Sequence, residues 1–369
     1  MEMRLGLAGT AKNTGKTTTT AAVIQELRSR GMPFYLTSIG YDGENLDNIT
    51  GLPKPKLRVK PGDMVVTAEK CLLTSTAGLQ VLHMTALRTP LGRIGVARVV
   101  HEGLVVTAGP NKTSEVKALS ELLRQFGPGI CIFDGALNRI APMAQTDGFI
   151  LATGAAKTPD IARLAAETEM MWYITNLPAV PESEEIKKKQ PATVTLYDPY
   201  MAKLENWSRT SLLNSADVEQ VLRVPCEEWS YLYIPGVIAT EPLQLLTERL
   251  EQAKRKLILC FADPIKIIVS GEISVVFSLM KRLDAAGVLV GVASRTPLLA
   301  VTINPFYPDY RLESHTYQPA YVDMVRLQMA VQKKIKVPVY NVMRQGAAGL
   351  VDQIIANAVP WESHNTIQF

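Results

Sequence analysis

The stretch Gly9-Thr10-Ala11-Lys12-Asn13-Thr14-Gly15-Lys16-Thr17 decides how this chain is read. It follows a short apolar run, residues 3–8, that stops at a glycine. It precedes Ala21-Ala22-Val23-Ile24-Gln25-Glu26-Leu27-Arg28, whose apolar spacing is helical and which ends in the basic turn and glycine stop Arg30-Gly31. Phe34 to Ile39 then reads as a second strand. Strand, loop, helix and strand within about forty residues is the opening of a parallel α/β sheet.

The loop has the chemistry of a phosphate cradle. Glycine lets backbone N–H groups approach an anion closely, and the following helix turns the positive end of its dipole toward it. Lys16 is spaced to reach the β- and γ-phosphates and Thr17 to ligate Mg²⁺. The expected nucleotide contacts are Gly9, Thr10, Lys12, Asn13, Thr14, Gly15, Lys16, Thr17 and Thr18, with ATP and Mg²⁺ as ligands. The spacing departs from the strict Gly-x4-Gly-Lys-Thr form, which needs glycine at position 10. That position is Thr10, and Gly9 stands one residue earlier.

Working outward, residues 52–107 change character. Short strand-like pieces (57–60, 64–67, 78–84, 93–100, 103–107) are separated by glycine and proline, with Pro61-Gly62-Asp63 a turn by its residue chemistry. The expectation is a β-rich insertion in a nucleotide-binding core formed by 1–51 and 108–180. That core resumes with a helix over 114–126, the strand Gly129–Phe133 ending at Asp134, the strand Gly148–Ala152, and a helix over 159–170. The polar stretch 181–192 reads as a boundary. Beyond it, 193–369 alternates strands (231–238, 256–261, 266–269, 288–293, 298–303, 337–342) with helices (241–255, 272–286, 319–334, 346–358), as a C-terminal α/β domain or an extension of the first sheet. The fold class is thus α/β, a mostly parallel sheet with a β-rich insertion and a second α/β half.

Composition narrows the function. Hydrophobic residues make up 47% and charged residues 20%, the balance of a globular enzyme. A net charge of +4, with basic residues scattered, argues for neither nucleic acid nor a membrane surface as partner. Cys71, Cys131, Cys226 and Cys260 form no Cys-x-x-Cys pair and the histidines are dispersed, so local spacing assembles no zinc site. Cys131 and Cys260 sit in apolar runs and read as buried thiols. With no apolar stretch near the ~18 residues that span a bilayer and no signal-like start, the expected location is the cytoplasm.

The loop resembles that of dethiobiotin synthetase and its relatives in the SIMIBI class of P-loop proteins, which includes the MinD-type ATPases. Two further places resemble the class: Ser38-Ile39-Gly40-Tyr41-Asp42-Gly43-Glu44, and Ile132-Phe133-Asp134-Gly135-Ala136. The resemblance implies Lys16, Asp42 and Asp134 as catalytic residues, Thr17, Asp134 and Asp42 around the metal, and Asn176 as the asparagine of an adenine-contacting strand end. It also implies a protein partner and allows a homodimer. MinD-type loops carry an extra lysine where this chain has Ala11, which leaves Lys12 a contact to phosphate within its own chain. No Asn-Lys-x-Asp run stands after the fourth strand, favouring ATP over GTP. The loop, with Asp134-Gly135-Ala136-Leu137-Asn138-Arg139 and Thr302-Ile303-Asn304-Pro305-Phe306, also resembles a bacterial family associated with reactivating cobalamin-dependent aminomutases. The rival expectation is an ATP-dependent synthetase or small-molecule kinase using the same cradle.

Lesser candidates complete the list. Arg139 is placed as a γ-phosphate cation or a surface ion pair, and Glu44 as a water-orienting group. His83 and His101 read as packed or surface residues. The segment Asn304–Arg311 reads as a loop at the strands' carboxyl ends, facing a ligand or simply packed on the surface, and the helix carrying Met324 and Met329 reads as core.

Overall fold

The computed structural model describes residues 1–40, 57–136, 141–180, 183–189, 191–225, 227–253, 256–311 and 315–360. They form two compact units, Met1–Thr168 with Leu298–Phe369, and Glu169–Pro297. The first stretch carries β1 (Met3–Gly9), α1 (Lys16–Ser29), β2 (Phe34–Ser38), β3 (Leu57–Val59), β4 (Met64–Ala68), β5 (Gly78–Thr89), β6 (Gly92–His101), β7 (Gly103–Val105), β8 (Ile130–Ala136) and β9 (Gly148–Gly154). The second unit carries β10 (Thr195–Tyr197), β11 (Lys203–Asn206), β12 (Tyr231–Ile234), β13 (Ile258–Phe261) and β14 (Leu289–Val292). The chain then returns to the first unit with β15 (Leu298–Asn304), β16 (Phe306–Arg311), β17 (Thr316–Tyr321) and β18 (Val339–Tyr340).

The first unit is built on a nine-stranded sheet in the order β18-β15-β9-β1-β8-β2-β4-β6-β5. Every neighbouring pair from β18 to β4 is parallel, and β6 and β5 continue it antiparallel. The fold is α/β with a large, mostly parallel central sheet. Parallel strands are covered on both faces and so read as continuous apolar runs; β2 and β9 are buried along their whole length. Val23, Ile24 and Leu27 of α1 join Leu5, Leu7, Ile132 and Ile150 of the sheet in one core. Leu350, Val351 and Ile354 of the helix Ala348–Asn357 close the same core.

Several elements differ from the sequence expectation. Much of the β-rich stretch expected over 52–107 is built into the central sheet: β4 lies parallel to β2, and β6 and β5 extend from it, while β3 and β7 pair with one another in a separate two-stranded sheet. Val65, Val66, Val96, Ala97 and Val99 are buried, and that apolar surface is what the sheet edge accepts. The half expected as 193–369 divides at Leu298, because β15 and β18 pair with β9 and with each other. The second unit begins at Glu169, inside the helix Ile161–Thr175 and ahead of the polar stretch. Lys266–Val269, read as a strand, falls on the helix Pro264–Ile268 and its C-cap; Asp263 caps it and proline takes its first position, outweighing the β-branched isoleucines. The helix expected over 319–334 starts at Met324, where Asp323 accepts hydrogen bonds from the Val325 and Arg326 N–H groups. It packs through Leu327 and Val331, and Met324 and Met329, expected in the core, are exposed.

The second unit has a five-stranded sheet in the order β11-β10-β12-β13-β14, parallel from β12 to β14 and antiparallel at β10 and β11. Cys131 in β8 and Cys260 in β13 are buried as expected, and burial pushes the Cys131 thiol well above its ordinary pKa. Cys226 lies outside the described residues. Among the described residues no helix is long and apolar enough to cross a membrane.

One buried ion pair ties α1 to the β3–β4 turn. The Arg28 guanidinium donates to both carboxylate oxygens of Asp63, at 3.2 and 2.6 Å, and Asp63 also accepts from the Lys60 N–H at 2.8 Å. Removing one partner of such a pair leaves the other desolvated and unpaired. Asp63→Ala is expected to lower the unfolding free energy by roughly 2–4 kcal/mol in urea titration. A loss under about 1 kcal/mol would contradict this account of the contact.

Candidate functional site

Gly9, the last residue of β1, stands opposite Ala136 of β8 on one side and Ala152 of β9 on the other. The loop 10–15 therefore leaves the sheet between the carboxyl ends of two flanking strands, the crevice where open α/β sheets hold ligands. Its base is tied to β9. Thr10 N–H donates to Ala152 O at 2.9 Å, and Thr10 Oγ1 donates to Thr153 Oγ1 at 3.0 Å. Thr14 Oγ1 closes the loop on itself by donating to Ala11 O at 2.9 Å.

Asn13 and Gly15 both take left-handed backbone conformations, with φ of 62° and 89°. They turn the chain so that α1 starts at Lys16 with Gly15 as its N-cap. No side chain caps that end, and its first turn carries no acid. The first N–H groups of α1 are thus left for a ligand or water, at the positive end of the helix dipole. Thr17 and Thr18 lie half-buried in this turn, and Lys12 is exposed on the loop. One turn further on, Thr19 and Thr302 share a buried hydroxyl hydrogen bond of 2.8 Å that pins α1 to β15.

Asp134 stands on β8 opposite Leu7 of β1 and Ser38 of β2. Lys16 Nζ reaches over the end of β1 to form an ion pair with Asp134 Oδ1. The two side chains are 21% and 8% exposed, so the charges sit at a half-desolvated edge. Among the described residues no three His, Cys, Asp or Glu side chains gather as a ready-made metal cage. A carboxylate and a hydroxyl on neighbouring elements, Asp134 and Thr17, suit Mg²⁺, which takes one or two protein ligands and completes its shell with phosphates and water.

Asn304, which the sequence placed in a segment at the strands' carboxyl ends without giving it a role of its own, stands at the end of β15. Its Nδ2 donates to Asn13 O at 2.8 Å, its Oδ1 accepts from Phe306 N–H at 3.2 Å, and its main-chain oxygen accepts from Ala155 N–H at 2.9 Å. A Cβ on Gly15 would stand 3.1 Å from the Asn304 Cβ, and one on Gly154 would collide with the Asn304 backbone. Asn304 is the wall against which the loop is set. The sequence marked it as a polar residue ending an apolar strand, but nothing local says that this strand lies beside β9.

Asp42, Glu44 and Arg139 lie outside the described residues. Asn176 is a correction: it follows the helix Ile161–Thr175, in the second unit, and ends no strand. Its Nδ2 donates to Trp172 O at 2.9 Å, satisfying a carbonyl of the last helical turn. The helix expected over 159–170 runs on through Met171–Thr175, where the resemblance implied a strand end.

Asn304→Ala should cost about 1 kcal/mol by deleting the bond to Asn13 O. It should also speed amide hydrogen exchange in residues 13–17 while the strands keep their protection. Unchanged exchange in that loop would show that Asn304 does not hold it. Comparison of the chain with protein-family models, with curated proteins and with solved structures finds no match.

Proposed function

We propose that this protein binds ATP with Mg²⁺ in the loop 9–17 and hydrolyses it to change its grip on a protein partner, in the cytoplasm. The observation that carries the proposal is the uncapped N-terminus of α1 beneath a left-handed Gly15, with Lys16 of the same turn paired to Asp134 on the adjacent strand. Backbone donors, a helix dipole and a mobile cation at one point are the requirements of a triphosphate site.

The proposed chemistry is an exchange of partners. Lys16 leaves Asp134 for the phosphate oxygens and stabilises the charge that develops on the transferred phosphoryl group. Asp134, released, would hold the metal together with Thr17. Mg²⁺ there would neutralise phosphate charge. The SIMIBI resemblance adds Asp42 as the residue that orients the attacking water, and the resemblance to the aminomutase-reactivating family adds a cobalamin-dependent aminomutase as the partner. The absence of an Asn-Lys-x-Asp run favours ATP over GTP.

Thr10 in place of the first glycine of the strict loop form, with Gly9 one residue earlier, favours an alternative, a synthetase or small-molecule kinase with the loop of dethiobiotin synthetase. ADP release that rises in step with modification of a metabolite supports that alternative. Acceleration by a protein alone supports the first.

Two variants test the site. Lys16→Ala is expected to weaken ATP binding at least about tenfold and reduce hydrolysis to background, the scale of a lost charge-assisted contact. Ordinary ATP affinity in that variant sinks the proposal. Asp134→Asn frees Lys16 but removes a metal ligand, so metal-free ATP binding should persist or tighten while Mg²⁺ no longer promotes turnover. Titration calorimetry with and without Mg²⁺, beside a phosphate-release assay, reads both.

A further inference from the structure

Immediately beyond Asn304, β16 and β17 form an antiparallel hairpin whose strands pack chiefly on one another. The opposed pairs Phe306–Tyr321, Pro308–Pro319 and Tyr310–Tyr317 share one face, because alternate residues of a strand point the same way. That face is a ladder of four aromatic rings and two prolines. Phe306 meets Tyr321 edge-on at 5.7 Å between ring centroids, and Tyr310 meets Tyr317 at 5.1 Å. Tyr321 is 68% exposed and Tyr310 44%. The charged pair Asp309–Arg311 lies on the opposite face.

A two-stranded hairpin is marginal without something packed on it, and this one leaves Tyr310 and Tyr321 exposed and Phe306 and Tyr317 half-buried. Pro308 and Pro319 each lack an N–H in mid-strand, which makes both strands poor templates for a further strand. An occupant therefore meets the rings, not the edges. The face carries no charge of its own, which suits a flat, uncharged ring system. Its six-residue length, roughly 20 Å, is short for a stable protein interface.

The location says whose ring it is. Asn304 touches Asn13 and Gly15 of the loop, and the Phe306–Tyr321 pair begins two residues along, about 7 Å of strand. Of the three cross-strand pairs it is the one nearest the loop. Asn304 Oδ1 fixes the Phe306 N–H, so the orientation of the first ring is set by the residue that sets the loop.

We infer that the base of the nucleotide bound at the loop stacks on the aromatic face of this hairpin, at the Phe306–Tyr321 pair. The inference rests on the proposed nucleotide site and adds the surface that distinguishes a nucleotide from a bare polyphosphate. Stacking is tolerant of base identity, since every base offers a π-face, so adenine and guanine nucleotides should both use it.

The test titrates the wild-type protein, Tyr321→Ala and Tyr321→Phe with Mg-ATP and with Mg-tripolyphosphate. Tyr321→Ala should lose roughly tenfold in ATP affinity, the scale of one stacked base, and keep its tripolyphosphate affinity. Tyr321→Phe should restore ATP binding. The exposed position of Tyr321 makes loss of folding an unsuitable explanation, and the phenylalanine variant controls for it. ATP affinity unchanged in Tyr321→Ala, or an equal loss for both ligands, overturns the stacking inference and leaves the phosphate site standing. Loss of partner-stimulated hydrolysis with ATP affinity intact gives the face to the protein partner and likewise overturns it. Failure of the wild type to bind either ligand overturns the nucleotide site and the stacking surface together.

Discussion

The pairing of β1 with β8 on one side and β9 on the other is the constraint on which the rest of the site depends. Parallel neighbours cannot be joined by a tight turn, so each strand arrives from a distant part of the chain and delivers its next residues to the same edge. With Leu7 opposite Asp134 and Gly9 opposite Ala152, the loop after β1 has an acid from β8 on one flank and the threonine–glycine end of β9 on the other. Beyond β9, β15 brings Asn304 to the same edge. Shifting the β1–β8 register by one residue would turn a buried side chain to the wrong face and move Asp134 out of reach of Lys16.

Within that frame the loop is held by close approach more than by bulk. Gly154 lets the Asn304 backbone pass directly against β9, and Gly15 lets the Asn304 side chain stand against the start of α1. The left-handed turn at Gly15 then leaves the helix without a side-chain cap. An uncapped helix start beside a semi-buried lysine is a local cost to stability, offset by the core that α1 shares with the sheet and the helix Ala348–Asn357. The Lys16–Asp134 pair balances charge in this state of the protein, and in the proposed site both groups have other partners to go to.

The sequence and the structure part company where a local pattern had to compete with a long-range one. Val65, Val66 and Val96–Val99 read as short strands, and they are; that they extend the central sheet follows from which edge their apolar surface covers. The resemblance implied Asn176 as a strand-end asparagine, and Met171–Thr175 before it is rich in residues that favour strands. The helix begun at Ile161 and buried through Leu164, Ala165, Met171 and Ile174 overrides that preference. Met324 and Met329 follow the opposite course: apolar residues on a helix read as core, but Leu327 and Val331 already fill the packed face.

By itself the sequence determined the α/β class and the strand–loop–helix at residues 3–29. Those features rest on periodicity, glycine and cap chemistry, which act over a few residues. Tertiary structure alone decided that β15 returns to lie beside β9, that Asn304 stands at the loop, and that a hairpin with an aromatic ladder follows it. Such contacts join positions nearly three hundred residues apart, as Asn13 and Asn304 are, and depend on sheet order. Strand order is settled by the packing of whole faces, and no stretch of a few residues encodes it.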